Sequence, residues 1–320
     1  MSESPRSDIL DVLAIERPIV QAPVGGCATP RLVAAVGEAG GIGTLACTWT
    51  APAELAPLIA GVRELTQRPF AANLVLWFDV EAQLEALLAL GVPVLTFSWG
   101  QPGSERIARC HDAGARVAVQ VGTAAGARQA RDDGADLLIA QGVEAGGHVQ
   151  STTPLRDLLA EVLDASGGTP VVAAGGLAVR ADVERVRRAG AAGAMLGTRF
   201  LATVESGAHD AYKRALLETG GATALTVCFD GEWPYAAHRV LRNATLERWE
   251  RAGCPGPGRR PGEGEVLATR AGAEIARYSD DPPVSGDEGA IDEMCLYAGE
   301  GCGAIEDLPP VAELLDRLSG

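Results

Sequence analysis

The sequence predicts an α/β protein built on a (β/α)8 TIM barrel. Three observations carry that expectation. Eight short β-rich runs recur at intervals of about 20 to 30 residues, with Ala/Leu/Arg/Glu segments of helical character between them. Several of these runs are almost continuously apolar, as parallel strands covered on both faces must be. The turn after the first run, "APVGGCATP", lacks the G-x-G-x-x-G fingerprint of an open dinucleotide-binding sheet. A count of strands does not prove closure, so a doubly wound open sheet stays as the alternative.

In chain order the strands are expected at "PIVQAP" (18–23), "GIGTLA" (41–46), "FAANLVL" (70–76), "VPVLTFSW" (92–99), "RVAVQVG" (116–122), "DLLIAQG" (136–142), "TPVVAAGG" (169–176) and "AAGAMLGTRF" (191–200). Helices are expected between them at 52–66, 80–90, 103–113, 123–133, 154–165 and 178–189. After about residue 205 the pattern changes. A helix at 207–219 leads to a Pro/Gly-rich connector, "CPGPGRRPGEGE", expected as an exposed loop. Helical stretches near 265–277 and 308–319 follow. Residues 1–205 are thus expected to form the barrel. Residues 206–320 are expected to form a mostly helical C-terminal extension packed on the barrel or over its mouth.

Composition narrows the functional classes. A chain of 320 residues with 47% apolar content can bury a large core. No apolar run approaches the roughly 20 residues that span a bilayer. The start, "MSESPRSDILDVLAIERP", lacks the basic and apolar regions of a signal peptide, so a cytoplasmic location is expected. The net charge of −15 argues against nucleic acid or an anionic membrane as partner. Lys213 is the only lysine, which excludes a general role for Schiff-base or P-loop lysines. The seven scattered cysteines fit a reducing compartment, and the Cys295/Cys302 spacing is not one zinc uses, so no metal is expected.

Candidate site residues fall where barrel strands end, the face on which this fold places its chemistry. Gly175 and Gly176 end the seventh run, and Gly197 and Thr198 end the eighth. Loops in those two positions bring backbone N–H groups against a phosphate. Asn73, Gln120 and Gln141 interrupt or end apolar strands, where a polar side chain needs a partner: a bound heteroaromatic cofactor, or simply backbone and water. His148 follows Gly146 and Gly147 after the sixth run. There the glycines allow close backbone approach and an imidazole can accept a proton near neutral pH. His111 reads as an outward or packing residue, while His209 and His238 have no comparable setting. Tyr297, in "DEMCLYAGEGCGA" (292–304), reads either as part of a loop covering a cleft and touching substrate, or as a core residue of a packed turn.

The motifs "PIVQAPVGG", "AGGIGTLA", "RPFAANLVL", "GVEAGGHVQ", "PVVAAGGLA" and "GAMLGTRFLAT" occur in the order seen in the nitronate monooxygenase family, formerly 2-nitropropane dioxygenases. The resemblance spans roughly residues 15 to 205, with looser similarity in "HRVLRN" and "LYAGEGCGAI". Flavin-dependent enoyl-ACP reductases and NADH:quinone reductases resemble the same pattern. The resemblance implies an FMN-binding barrel. It sets Ala22, Pro23 and Val24 against the flavin ring, and Asn73, Gln120 and Gln141 along the ring and ribityl chain with Gly146 and Gly147 nearby. Gly175, Gly176, Gly197 and Thr198 would lie at the phosphate, with His148 as the catalytic residue. It implies a small-molecule nitronate or nitroalkane and O2 as substrates and leaves homo-oligomer formation open. NAD(P)H-dependent reduction of an enoyl thioester or quinone, and ligand binding without turnover, remain as other readings.

Overall fold

The computed structural model describes residues 8–218, 220–231 and 233–319; the first seven residues of the N-terminal stretch and position 219, the expected end of one helix, lie outside these. The elements run α1 (Ile9–Leu13), β1 (Ile19–Gln21), α2 (Pro30–Glu38), β2 (Thr44–Ala46), α3 (Pro52–Leu65), β3 (Ala71–Val75), α4 (Glu81–Ala89), β4 (Val94–Ser98), α5 (Gly103–Asp112), β5 (Arg116–Val121), α6 (Ala124–Asp132) and β6 (Leu137–Gln141). They continue with β7 (Gly147–His148), α7 (Leu155–Ala165), β8 (Val171–Ala174), α8 (Arg180–Arg188), β9 (Gly193–Leu196), α9 (Thr198–Leu201), α10 (Asp210–Glu218), β10 (Thr223–Thr226), β11 (His238–Leu241) and α11 (Ala244–Arg251). Last come β12 (Val266–Arg270), β13 (Ala273–Ala276), β14 (Glu288–Gly289) and α12 (Val311–Ser319).

Eight parallel strands form a TIM barrel in the order β1-β9-β8-β6-β5-β4-β3-β2, and all eight lie within the runs expected from the sequence. The ring closes between β1 and β2, where Val20 of β1 forms a parallel bridge with Ile42, two residues before β2. A side chain extends that seam: the Thr44 N–H donates to Gln21 Oε1 at 2.9 Å, and Gln21 Nε2 donates to the Thr44 carbonyl at 3.4 Å. The Gln21 amide thus stands in for a peptide group in the ladder.

Two apolar layers hold this frame. Between strands and helices lies the large shell that includes Leu45, Leu74, Phe97, Val119 and Leu138. Inside the barrel lies a smaller plug of Val20, Ile42, Val94, Ile139 and Val172, joined from below by Ile9 and Leu13 of α1. The plug and α1 fill the lower end, which leaves only the C-terminal end open for a site. Helix starts follow local chemistry, as where Thr29 caps α2 through the Leu32 N–H and Thr123 caps α6 through that of Gly126.

After β9 the chain leaves the barrel and returns with α12. Val311, Leu314, Leu315 and Leu318 of that helix join the outer shell between α2 and α8. The intervening segment is mixed. Its β11 pairs with β10 on one side and with β7 of the barrel loop on the other, and β12, β13 and β14 form a second small sheet. Here the expected helix at 265–277 is corrected to a β-hairpin. Its Ala/Leu/Glu/Arg content reads as helical, but Arg270 pairs with Ala273 across a two-residue turn in which Ala271 and Gly272 have φ of 49° and 86°. Two successive left-handed residues make a hairpin turn and stop a helix. The Pro/Gly connector is also not wholly exposed, because Arg260 is buried within it. Among the described residues no helix is long and apolar enough to cross a membrane.

Candidate active site

The open end of the barrel holds a cavity of about 640 Å³, and every candidate cofactor, catalytic or substrate residue named from the sequence lines it, from Ala22, Pro23 and Val24 to Tyr297. Two loops at strand ends form one side. The N–H groups of Gly176 and Leu177, after β8, and of Gly197 and Thr198, after β9, have no protein acceptor among the described residues. Four amides with unmet hydrogen-bonding capacity at a cavity wall suit an anion such as a phosphate. Gly176 has φ of 65°, and a β-carbon there would sit 3.0 Å from that of Glu144. A larger residue at 176 would therefore strain the loop before it reached any ligand.

The polar residues inside the strands resolve in favour of protein partners. Asn73 Nδ2 donates to Thr96 Oγ1 at 2.9 Å, and Gln120 Nε2 to Gln150 Oε1 at 3.1 Å. Gln141 Nε2 donates to the His148 carbonyl at 3.2 Å while its Oε1 accepts from the Gln150 N–H at 3.0 Å. Their amides therefore shape the loops as well as facing the cavity.

His148 sits at the centre. It lies in β7, registered opposite His238 of β11, so a strand from beyond the barrel fixes the loop that carries it. Its ring stacks on Trp233, with centroids 4.4 Å apart and planes at 26°, and meets Trp99 at 6.3 Å and Tyr297 at 5.7 Å. Its Nε2 is buried and has no hydrogen-bond partner among the described residues. Burial first, and the neighbouring His238 second, push its pKa down to about 3, so the ring is neutral at ordinary pH.

His238 is different. Its Nδ1 lies 2.9 Å from the Ala236 carbonyl, to which it donates, and its Nε2 accepts from the Phe229 N–H at 3.2 Å. It is fully buried with both nitrogens satisfied, and its pKa is pushed down to about 4, chiefly by burial. This histidine, which showed no distinctive setting in sequence, is a structural support beside the site.

Tyr297 forms a wall, and the turn it belongs to is anchored through its backbone. Its hydroxyl donates to the Asp280 carbonyl at 2.7 Å. In the following 3-10 turn (Glu300–Ala304) and the residue before it, glycines lie directly on the barrel loops. A β-carbon on Gly301 would come 2.4 Å from the Gly176 carbonyl oxygen, and one on Gly146 would come 2.5 Å from the Gly299 nitrogen. The spacing of "AGEGCG" is thus explained by backbone docking on the two loops.

Sequence reading missed the aromatic walls. Trp49, Phe78, Trp99 and Trp233 all line the cavity, as does Arg270. Trp49 and Trp99 stand just past the ends of β2 and β4, so the strand-end rule contained their signal. Trp99 also has φ of 57°, a costly conformation for so bulky a residue, held as its N–H donates to Gln150 Oε1 at 3.1 Å. Trp233 and Arg270 come from the irregular segment, where no periodicity pointed to them.

Comparison with known proteins agrees with this architecture. The family model described as nitronate monooxygenase matches residues 6–320. A nitronate monooxygenase of Pseudomonas aeruginosa is 32% identical, over 96% of this chain and 96% of that protein. The (3aS,4S,5R,7aS)-5-hydroxy-7a-methyl-1-oxo-octahydro-1H-indene-4-carboxyl-CoA dehydrogenase of Mycobacterium tuberculosis is 39% identical, over 77% of this chain and 68% of the relative. Among solved structures, a nitroalkane oxidase from Streptomyces ansochromogenes superposes with a TM-score of 0.78 at 32% identity, covering 98% and 96% of the two chains. FabK from Thermotoga maritima gives 0.78 at 27% identity, covering 97% and 94%.

Proposed function

We propose that this chain, which belongs to the nitronate monooxygenase family, is an FMN-dependent enzyme that oxidises alkyl nitronates and nitroalkanes with O2 to a carbonyl compound and nitrite. The observation that carries the reading is His148 Nε2: neutral, buried and without a partner, at the centre of a cavity whose rim offers four unmatched amides.

The residues present fit FMN. The amides of Gly176, Leu177, Gly197 and Thr198 would hold its phosphate. Ala22, Pro23 and Val24, with Asn73, Gln120, Gln141, Gly146 and Gly147, would border its ring and ribityl chain. Bound there, the flavin supplies the electron acceptor and the route to O2. The protein supplies position, exclusion of water and a base. His148 accepts the α-proton of a neutral nitroalkane at Nε2. The burial that keeps the imidazole neutral also opposes its protonation, and the nitronate anion formed beside it offsets that cost. A preformed nitronate needs no such transfer. With the free histidine neutral above about pH 3, His148 contributes no inflection between pH 5 and 8 to kcat/KM on a neutral nitroalkane.

A second reading, NAD(P)H-linked chemistry on a thioester, is favoured by the 39% identity to a CoA-thioester dehydrogenase. One experiment separates them. Flavin-loaded protein is mixed anaerobically with a nitronate and, separately, with NADH and NADPH. Flavin bleaching at a catalytic rate by the nitronate alone supports the oxidation; bleaching by a nicotinamide alone overturns it. Protein left colourless by FMN reconstitution disposes of both.

A further inference from the structure

We propose that the substrate carries an uncharged apolar substituent, a long chain or a ring, seated along an aromatic wall that runs from His148 to the cavity mouth; this rests on the oxidation reading above. The wall is continuous. From His148 the rings pass to Trp233 at 4.4 Å, to Phe78 at 5.3 Å and to Trp49 at 5.5 Å, with Trp99 against Trp233 at 4.5 Å. It begins at Trp233, 3% exposed, and ends at Trp49, 59% exposed, so it leads from the reacting position to solvent. A small nitroalkane would touch only its inner end.

Charged residues elsewhere in the cavity lining argue against an anionic tail. Arg270 is the cation there, and Asp287 already holds it through Nε at 2.9 Å and Nη2 at 2.8 Å. Its remaining nitrogen lies 3.8 Å from Asp281, and Asp280 lines the same cavity. Two carboxylates, Asp287 and Asp281, around one guanidinium leave a field that repels a carboxylate or phosphate on the substrate. The aromatic wall attracts what that field does not repel.

The test uses the FMN-loaded enzyme and oxygen uptake with the nitronates of nitroethane, 1-nitrobutane, 1-nitrohexane, phenylnitromethane and 3-nitropropionate. Burial of each added methylene should raise kcat/KM about three- to fourfold. The nitronate of 3-nitropropionate should fall about tenfold or more below that of 1-nitrobutane. In Phe78→Ala and Trp49→Ala the ratio of the hexane to the ethane compound should collapse several-fold. Calorimetric binding of unreactive amides, propanamide to octanamide with succinamate as the charged member, provides an arm that needs no turnover. If no nitronate is oxidised but amide affinity rises with length and succinamate binds worst, the oxidation reading fails and the apolar wall stands. Flat series in both assays, or preference for the anionic member in either, overturns the proposal.

Discussion

The two sides of the cavity are built by different physics. On the barrel side, loops are positioned by strand ladders and an apolar shell, and many side chains share the work. On the other side, residues 229–302 make few long ladders and depend on single groups. Arg260 grips Asp230 with two hydrogen bonds, of 2.8 and 2.7 Å, while its guanidinium lies over the Tyr278 ring. Arg277 bridges Glu265 and Glu293, and Arg239 donates to the Val143 carbonyl at 2.8 Å while pairing with Glu300. The first side carries the glycine loops and His148; the second presses Trp233 and Tyr297 against that histidine. A distributed scaffold tolerates the loss of one side chain where a pinned one does not, and this asymmetry can be tested.

The largest effect should come from the one barrel-side residue with no redundancy. His148→Asn keeps size and hydrogen-bonding capacity but removes the proposed base. Activity on a neutral nitroalkane should drop by about 10²- to 10⁴-fold with FMN binding preserved, and activity on the preformed nitronate should drop much less. Oxygen uptake on both substrate forms at one pH checks this. Equal losses would assign His148 to substrate binding.

Next comes the stability contrast. Arg260→Met leaves Asp230 buried without its partner and should cost about 3–5 kcal/mol. Arg180→Ala on the barrel surface breaks only an exposed pair with Glu184, at a cost of about 0.5 kcal/mol or less. Urea unfolding of both variants measures the difference, and similar losses would refute the contrast.

How much of this was legible in the sequence follows the same divide. Strand periodicity, glycine pairs and the His148 motif all belong to the barrel, where local pattern and final position coincide. Trp99 was legible in principle, since it ends a strand on the functional face. The hairpin at 266–276 was not read correctly because its Ala, Glu and Arg content favours helix, while its turn conformation and its pairing with β14 decide otherwise. Arg260 looked exposed because nothing local reveals that Asp230, thirty residues earlier, will bury it. Long-range pairs of single residues leave no period to read.

A smaller effect joins both sides through pH. In the folded state His148 and His238 have pKa values pushed down to about 3 and about 4, whereas the unfolded chain takes up these protons near pH 6.5. The unfolded state therefore binds more protons below that pH. Stability is fully present above pH 6.5 and is lost as pH falls toward the folded values. His238 alone should cost about 2 kcal/mol by pH 5. His238→Gln should flatten the stability-versus-pH slope between pH 6.5 and 4.5, above the range where most carboxylates titrate. An unchanged slope would mean that His238 accepts its proton in the folded protein.

The smallest effect expected comes from Tyr297→Phe. The ring packs beside His148 and His238, and the hydroxyl donates to the Asp280 carbonyl and is hydrogen-bonded to the Cys295 thiol. Removing the oxygen leaves the aromatic surface in place, so the loss should be about 1 kcal/mol. Backbone contacts of Gly299 and Gly301 hold the adjoining turn whatever the side chain at 297 does. Kinetic constants should therefore stay within about twofold while the denaturation midpoint shifts slightly. A large rise in KM with unchanged stability would show instead that the hydroxyl meets the substrate, and that this side of the cavity contributes binding chemistry as well as shape.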